Sequence, residues 1–138
     1  MGASFGALDA TVAIFASGRK PFLTSYARMG ESPGARHWLA DAASRVHRAD
    51  RMMLAVAAAL GEGGEPAELD AGRLQLDLSR SAQDCRSALD RMLDLHGASG
   101  FRMTSPVQRL WRDVSVGSRH PFLTEYLAIE AHGRVLTG

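Results

Sequence analysis

The sequence predicts an all-α fold: an antiparallel four-helix bundle with an additional C-terminal helix. Apolar residues recur three and four apart over long stretches, the period of a helix that buries one stripe. No stretch alternates apolar and polar residues for long enough to make a strand. Glycine, proline and capping residues fall between the periodic stretches, where helices start and stop. With 138 residues the chain makes a single domain, residues 1–138, since independent cores appear about once per 100–200 residues.

The first helix is expected from about Ser4 to Ser17, with Phe5, Leu8, Val12 and Phe15 on one stripe and Gly18 as its end. A loop, Arg19 to Glu31, follows. Ser32 and Pro33 then restart a helix as N-cap and first-turn proline, which meets the orphan amides at least cost. This second helix carries Leu39, Ala42, Val46, Ala49, Met53, Val56 and Leu60, the spacing of a bundle contact. Asp41 and Arg45 lie four apart on its outer side and should pair. Gly61 to Pro66 breaks the helix into a flexible loop.

A third helix is expected from about Asp70 to His96, with Leu78, Ala82, Cys85, Leu89, Met92 and His96 on its apolar side. Arg80, Asp84, Arg86, Asp90, Arg91 and Asp94 dress a side expected to face solvent. Gly97 and Gly100 stop it. Ser105 and Gln108 match a capping box for a fourth helix, Pro106 to about Ser118. Pro121 interrupts the chain again, and a last helix, about Phe122 to Arg134, should pack Phe122, Tyr126 and Ile129 or Leu127. The two long helices would reach roughly 40 Å, against a radius of gyration near 14 Å for a compact domain of about this size. The bundle is therefore elongated, and long bundles with alanine-rich and methionine-rich flanks favour a homo-oligomer.

Composition excludes several function classes. Sixteen basic against fifteen acidic side chains give a net charge of +1, which lends no support to nucleic-acid or membrane-surface binding. Neither a signal peptide nor an apolar stretch of about 18 residues is present, so a cytoplasmic protein is expected. Cys85 is the lone cysteine, and His37, His47, His96 and His132 show no metal-ligand spacing, so no metal is expected. Phosphate loops that follow strands and paired catalytic carboxylates are likewise missing.

The segment Pro106-Val-Gln-Arg-Leu-Trp-Arg-Asp113, with a histidine seven residues further on at His120, resembles the C-terminal signature of acyl-CoA-dehydrogenase-like flavin-dependent monooxygenases, the two-component aromatic hydroxylases. Gly97-Ala-Ser-Gly100 is similar to the family's glycine turn before this helix, and Tyr126 to Gly138 to its closing helix. Arg19 and Phe22 resemble the arginine and aromatic that follow the opening helix. The resemblance covers nearly the whole chain and implies the acyl-CoA dehydrogenase C-terminal fold. Full members carry an N-terminal helical domain and a β-domain before this bundle. The expectation is therefore a self-sufficient stand-alone unit or a split subunit that works with a flavoenzyme partner.

The resemblance implies a catalytic role for His120, matched to a histidine that accepts a proton from a phenol. An imidazole exchanges a proton near neutral pH, and such help is typically worth about 10²–10⁴-fold. On spacing alone, His120 could instead cap the final turn before Pro121. Asp113 either fixes the His120 tautomer or pairs with Arg109 or Arg112. Arg112 and Arg119 either face an anion, a flavin phosphate for Arg112 and a substrate carboxylate for Arg119, or sit on the surface. Trp111 either lines a substrate cavity or, like Trp38, belongs to the core. Arg19 and Phe22 are the implied cofactor-binding residues, and Arg19 matches an arginine that in the wider superfamily reaches the cofactor of a neighbouring subunit. The cofactor would be FAD or FMN where flavin is retained and none otherwise, with an aromatic or polyketide-like small molecule as substrate. Two other readings fit the residues: a cofactor-free cyclase, isomerase or dehydratase that reuses the bundle pocket, and a non-catalytic docking subunit of a full-length flavoenzyme.

Overall fold

The computed structural model describes residues 1–61 and 66–138. Among these it has five α-helices: α1 (Gly2–Ala16), α2 (Pro33–Gly61), α3 (Glu68–His96), α4 (Pro106–Gly117) and α5 (Glu125–Thr137). Single turns of 3-10 helix occupy Met29–Glu31, Gly97–Phe101 and Pro121–Leu123. The flexible loop expected at Gly61 to Pro66 lies mostly outside the described residues.

Helix α3 is the central post. Side-chain pairs set the direction of each neighbour: Trp38 and Asp41 of α2 meet Arg91, whereas Arg48 meets Asp84, so α2 runs antiparallel to α3. Trp111 of α4 reaches Asp90, and Phe101 beyond the end of α3 meets the same indole, so α4 is antiparallel too. Met1 lies against Cys85 and Thr11 against His96, which makes α1 parallel to α3. The result is the up-down-up-down bundle expected from sequence. Helix α5 lies outside this bundle, along the N-terminal half of α3. At about 1.5 Å per residue, the 29-residue helices α2 and α3 are each about 43 Å long.

The core is made where small residues let helices approach. Ala7 and Leu8 of α1, Ala42 and Val46 of α2, and Ala88, Leu89 and Met92 of α3 form one buried cluster, with Leu110, Trp111 and Val114 of α4 packed against it. The α2 series holds as far as Val56, whereas Leu60 is exposed. The Asp41–Arg45 pair forms at 2.9 Å, and its guanidinium holds the Asp41 carboxyl below the usual carboxylate range. Ser32 Oγ accepts the Ala35 amide as the predicted N-cap.

Several expectations need correction. Helix α1 ends at Ala16, with Ser17 extended as its C-cap, so Gly18 is not its stop. It also presents a rotated stripe: Ser4, Ala7, Leu8 and Thr11 are buried and Val12 is exposed. A face of small residues brings α1 closer than a Phe/Val face would, and the Thr11 hydroxyl costs little because it donates to Ala7 O at 2.7 Å. The charged side of α3 does not simply face water. Asp84 is paired twice by Arg48, at 2.7 and 2.6 Å, Asp90 accepts from Trp111 Nε1 at 2.6 Å, and Arg91 lies 4.6 Å from the Trp38 ring centroid. A central helix has neighbours on most sides, so Asp84 and Arg91 of its polar side become interhelical pairing groups, while Arg80 and Asp94 face solvent as expected.

The Ser105 capping box does not form, since Ser105 makes no side-chain cap bond; Pro106 at the first position has no amide to offer and already fixes φ. Helix α5 starts at Glu125, after a separate turn at Pro121–Leu123, and Phe122, Tyr126, Leu127 and Ile129 are exposed while Ala128 is buried. Pro121 holds His120 extended at ψ 140, the Leu123 amide closes the turn on His120 O at 2.7 Å, and with Thr124 extended the helix starts about three residues later than expected. The stop after α3 is as expected: Gly97 sits at φ 63, where L side chains are strained.

Candidate functional site

His120 stands at the tip of the turn between α4 and α5, and the turn is tied to α3. Gln75 Nε2 donates to Phe122 O, while Ser79 Oγ and Gln83 Nε2 donate to Leu123 O at 3.1 and 3.3 Å. His120 is exposed. Its Nδ1 accepts the Phe122 amide at 3.3 Å, and its ring stacks on Phe122 with centroids 5.6 Å apart. The histidine thus caps this turn. Because Nδ1 is an acceptor, the neutral ring carries its proton on Nε2, the nitrogen left for an outside molecule.

Next to this turn a polar groove of about 290 Å³ is lined by Gln83, Arg86, Arg119, Glu125 and Tyr126. Arg119, just past the end of α4, donates to Ser115 O in its last turn. Asp113 and Arg112 are exposed on α4, and among the described residues Asp113 pairs neither with His120 nor with Arg109 or Arg112. Two helical turns plus the break at Gly117 do not bring carboxylate and imidazole together. Trp111 is half-buried: its indole N–H is used by Asp90 and its ring meets Phe101 edge-on, with centroids 5.8 Å apart. It therefore serves the packing of α4 on α3.

Arg19 and Phe22 lie elsewhere. Arg19 Nη2 donates to His96 O at 2.5 Å and to Ser99 Oγ at 3.0 Å, which clamps the loop after α1 onto the C-terminal end of α3. Its charge meets orphan carbonyls at the negative end of the helix. The same loop borders a groove of about 480 Å³, lined by Arg19, Lys20, Phe22, Met29, Trp38 and Asp94 among others. Phe22 is 89% exposed. The His120 turn is tied to α3 at residues 75–83 and the Arg19 clamp at residue 96. At about 1.5 Å per residue the two places are about 25 Å apart, so Arg19 and Phe22 do not share a site with His120 and Arg119, and Trp111, Arg112 and Asp113 line neither groove.

The sequence reading missed a buried polar pair between α1 and α3. His96 Nε2 lies 3.3 Å from Thr11 Oγ1. The Thr11 proton already serves Ala7 O, so Thr11 accepts and His96 is the donor through Nε2–H. Burial pushes the His96 pKa down, and the Arg19 charge pushes it the same way. A Cβ added at Gly100 would come 2.7 Å from His96 Cβ, so the glycine turn exists to pass this imidazole. The threonine three positions after Leu8 gave no sequence signal beyond its place near an apolar stripe.

Known proteins agree with this architecture. A solved structure of XiaF from Streptomyces sp., in complex with FADH2 and glycerol, superposes with TM-score 0.92 at 26% identity over 99% of this chain and 35% of its own. The 3-HSA hydroxylase from Rhodococcus sp. RHA1 superposes with TM-score 0.84 at 27% identity over 99% of this chain and 36% of its own. A pigment production hydroxylase from a Rhodococcus species is 38% identical over 65 residues, 47% of this chain. The chain spans 17% of the length of that hydroxylase and about a third of the two solved structures. A family model for the acyl-CoA dehydrogenase C-terminal domain matches residues 1–125. By that match and by its bundle, the chain belongs to the acyl-CoA dehydrogenase C-terminal domain family.

Proposed function

We propose that this chain is the C-terminal helical unit of a flavin-dependent monooxygenase, which acts on an aromatic or polyketide-like substrate with His120 as proton acceptor. The observation that carries this reading is the superposition of the whole bundle, at 26% identity, on a structure that holds FADH2. The hydroxylase names of the other relatives point the same way.

The Arg19 groove fits part of a flavin nucleotide. It pairs two cations, Arg19 and Lys20, with two aromatic rings, Phe22 and Trp38, beside about 480 Å³ of space, a set suited to phosphate and a flat ring. Arg19 would hold the phosphate side and Phe22 the ring, with Arg112 as a further cation on the α4 surface. Reduced flavin, when bound, supplies the electrons that activate oxygen. The remaining work falls to side chains of this chain. His120 presents Nε2 to the substrate; to take up a proton it gives up the Phe122 amide and becomes a donor at both nitrogens. Arg119, in the polar groove beside it, orients an anionic substrate group. A separation of about 25 Å along α3 puts Arg19 and His120 on different ends of one bound cofactor or on two copies of it.

The test is a titration of the purified protein with reduced and oxidised FAD and FMN, followed by fluorescence. Saturable micromolar binding, weakened at least fivefold by Phe22→Ala, is the expected result. Phe22 is 89% exposed, so that variant leaves folding intact. An absence of binding up to millimolar flavin would overturn the reading.

A further inference from the structure

The segment Arg19-Lys-Pro-Phe-Leu-Thr-Ser-Tyr26 returns later in the chain as Arg119-His-Pro-Phe-Leu-Thr-Glu-Tyr126. The copies differ only at Lys20 against His120 and at Ser25 against Glu125. Each follows a bundle helix that packs on α3, yet their backbones differ. In the second copy Pro121–Leu123 is a 3-10 turn. The Leu123 amide bonds His120 O at 2.7 Å and the Thr124 amide bonds Pro121 O at 3.3 Å. Side chains of α3 hold the Phe122 and Leu123 carbonyls, and Leu123 is half-buried. In the first copy Leu23 stands at φ 56, alone among the described non-glycine residues in the left-handed region. Phe22 and Leu23 are both 89% exposed, and among the described residues the backbone of neither makes a hydrogen bond. A bulky residue in that region is strained, and such strain persists where the surroundings over-determine it. Around Leu23 they do not: the segment is closed only by Thr24 Oγ1 on Pro21 O at 3.0 Å. Its flanks, by contrast, are pinned. Arg19 is clamped to the end of α3, the amide of buried Met29 bonds Arg19 O at 3.0 Å, and Glu31 accepts the Ala27 amide at 2.9 Å.

We propose that Pro21–Thr24 is a lid over the half-open groove beside it, whose apolar wall includes Met29, Ala35, Trp38 and Leu95. The lid closes when Leu23 leaves the left-handed region and the strap takes the 3-10 form that its second copy already has. The Leu23 amide then donates to Lys20 O and the Thr24 amide to Pro21 O, while the Thr24 hydroxyl moves to Lys20 O, the pattern of bonds seen at His120–Thr124. Closure thus adds two backbone bonds, relieves the strain at Leu23 and takes Phe22 and Leu23 out of water onto the Trp38 side of the groove. The second copy stays closed because Gln75, Ser79 and Gln83 receive its carbonyls. The first copy has no such ladder. The groove offers it apolar surface instead, and a flat ligand lying on that surface gives the two side chains something to close on. The identity of that ligand rests on the flavin reading of the groove, but the movement does not.

The experiment reads the lid in the whole chain, first without flavin. Acrylamide quenching of tryptophan fluorescence is measured in wild type, Leu23→Gly and Leu23→Val, with circular dichroism as the check on folding. Glycine takes up the left-handed region freely and holds the strap open, whereas a β-branched valine is driven out of it. Leu23 is 89% exposed, so both variants keep the bundle. Trp111, with its indole N–H on Asp90, contributes alike to all three proteins, and a difference between them therefore reports Trp38. The left-handed penalty moves the balance of open and closed straps about tenfold between the variants, and the quenching slope of Leu23→Val should be about half that of Leu23→Gly. Adding Phe22→Ala to Leu23→Val should restore the higher slope, because the cover itself is gone. With FMN as the probe ligand, Leu23→Gly should release it about tenfold faster than Leu23→Val in stopped flow, the same penalty read as a rate. Equal quenching in Leu23→Gly and Leu23→Val would overturn the lid whether or not flavin binds, and so would equal release rates. A quenching difference in a protein that binds no FMN would support the lid and count against the flavin reading alone.

Discussion

Replacing Arg19 by methionine removes the guanidinium while it keeps most of the stem, so the loss isolates the clamp on α3. Two hydrogen bonds go, to His96 O at 2.5 Å and Ser99 Oγ at 3.0 Å. A hydrogen bond from a charged donor is worth about 1.5–3 kcal/mol, and a cation at a helix C-terminus adds about 0.3–1 kcal/mol. Arg19 is only half-buried, so water recovers part of this, and about 2 kcal/mol is the expected cost. Unfolding entropy of about 2.1 cal/mol/K per residue makes each kcal/mol worth about 3–4 °C in a chain of this size. Arg19→Met should therefore melt about 7 °C below wild type in a calorimetric scan. Arg19→Lys should fall between the two, because an ammonium reaches one acceptor where the fork reaches two. A melting point for Arg19→Met within 1 °C of wild type would refute the clamp.

The His96 pKa lies below that of the unfolded chain. Above the unfolded value of 6.5 the ring is neutral in both states and contributes nothing to pH dependence. As pH falls through that value the unfolded chain takes up a proton that the buried ring does not, so stability drops until the folded pKa is reached. Urea midpoints at pH 8 and pH 5 should show the drop, and His96→Gln should reduce it. Gly100→Ala forces a Cβ to 2.7 Å from His96 Cβ and 3.2 Å from Leu93 Cδ2. It should cost about 1–3 kcal/mol in chemical denaturation, as overpacking does. For Arg48 and Asp84, joined by two bonds with the Asp84 side chain 14% exposed, a double-mutant cycle should give a coupling of about 1 kcal/mol or less, since the arginine side chain is half in water.

Helix count, order and direction were legible because the α2 and α3 spacings persist over seven and six apolar positions. A helix with so long a stripe has one way to bury it. The face of α1 was not legible, because Phe5, Val12 and Phe15 outweigh Ala7 and Thr11 in apolar content while the packing favours small residues that permit close approach. The polar side of α3 was misread for a related reason: charge in a sequence does not tell a solvated carboxylate from one already held by an arginine of the next helix. The α5 boundary turned on Pro121, whose effect on His120 was foreseen although the extra turn at Thr124 was not. At the candidate sites, residue identity could be read but convergence could not. Arg19 and His120 are both residue types suited to functional chemistry, and only the register along α3 shows them to lie far apart.

That separation bears on how the chain could work. Oxygen chemistry on a flavin needs a site from which water is kept out, and the proposed flavin and proton-transfer residues are all at the surface. Phe22 is 89% exposed, and Val116, Phe122 and Tyr126 around the His120 turn are 69%, 67% and 68% exposed. The interior of the bundle is closed to such a ligand, since α1 to α4 fill it with alanine, leucine and methionine. On the proposed function, the bundle therefore acts as one wall of the oxygenation site, and the apolar side chains around His120 are the surface on which the opposite wall must rest.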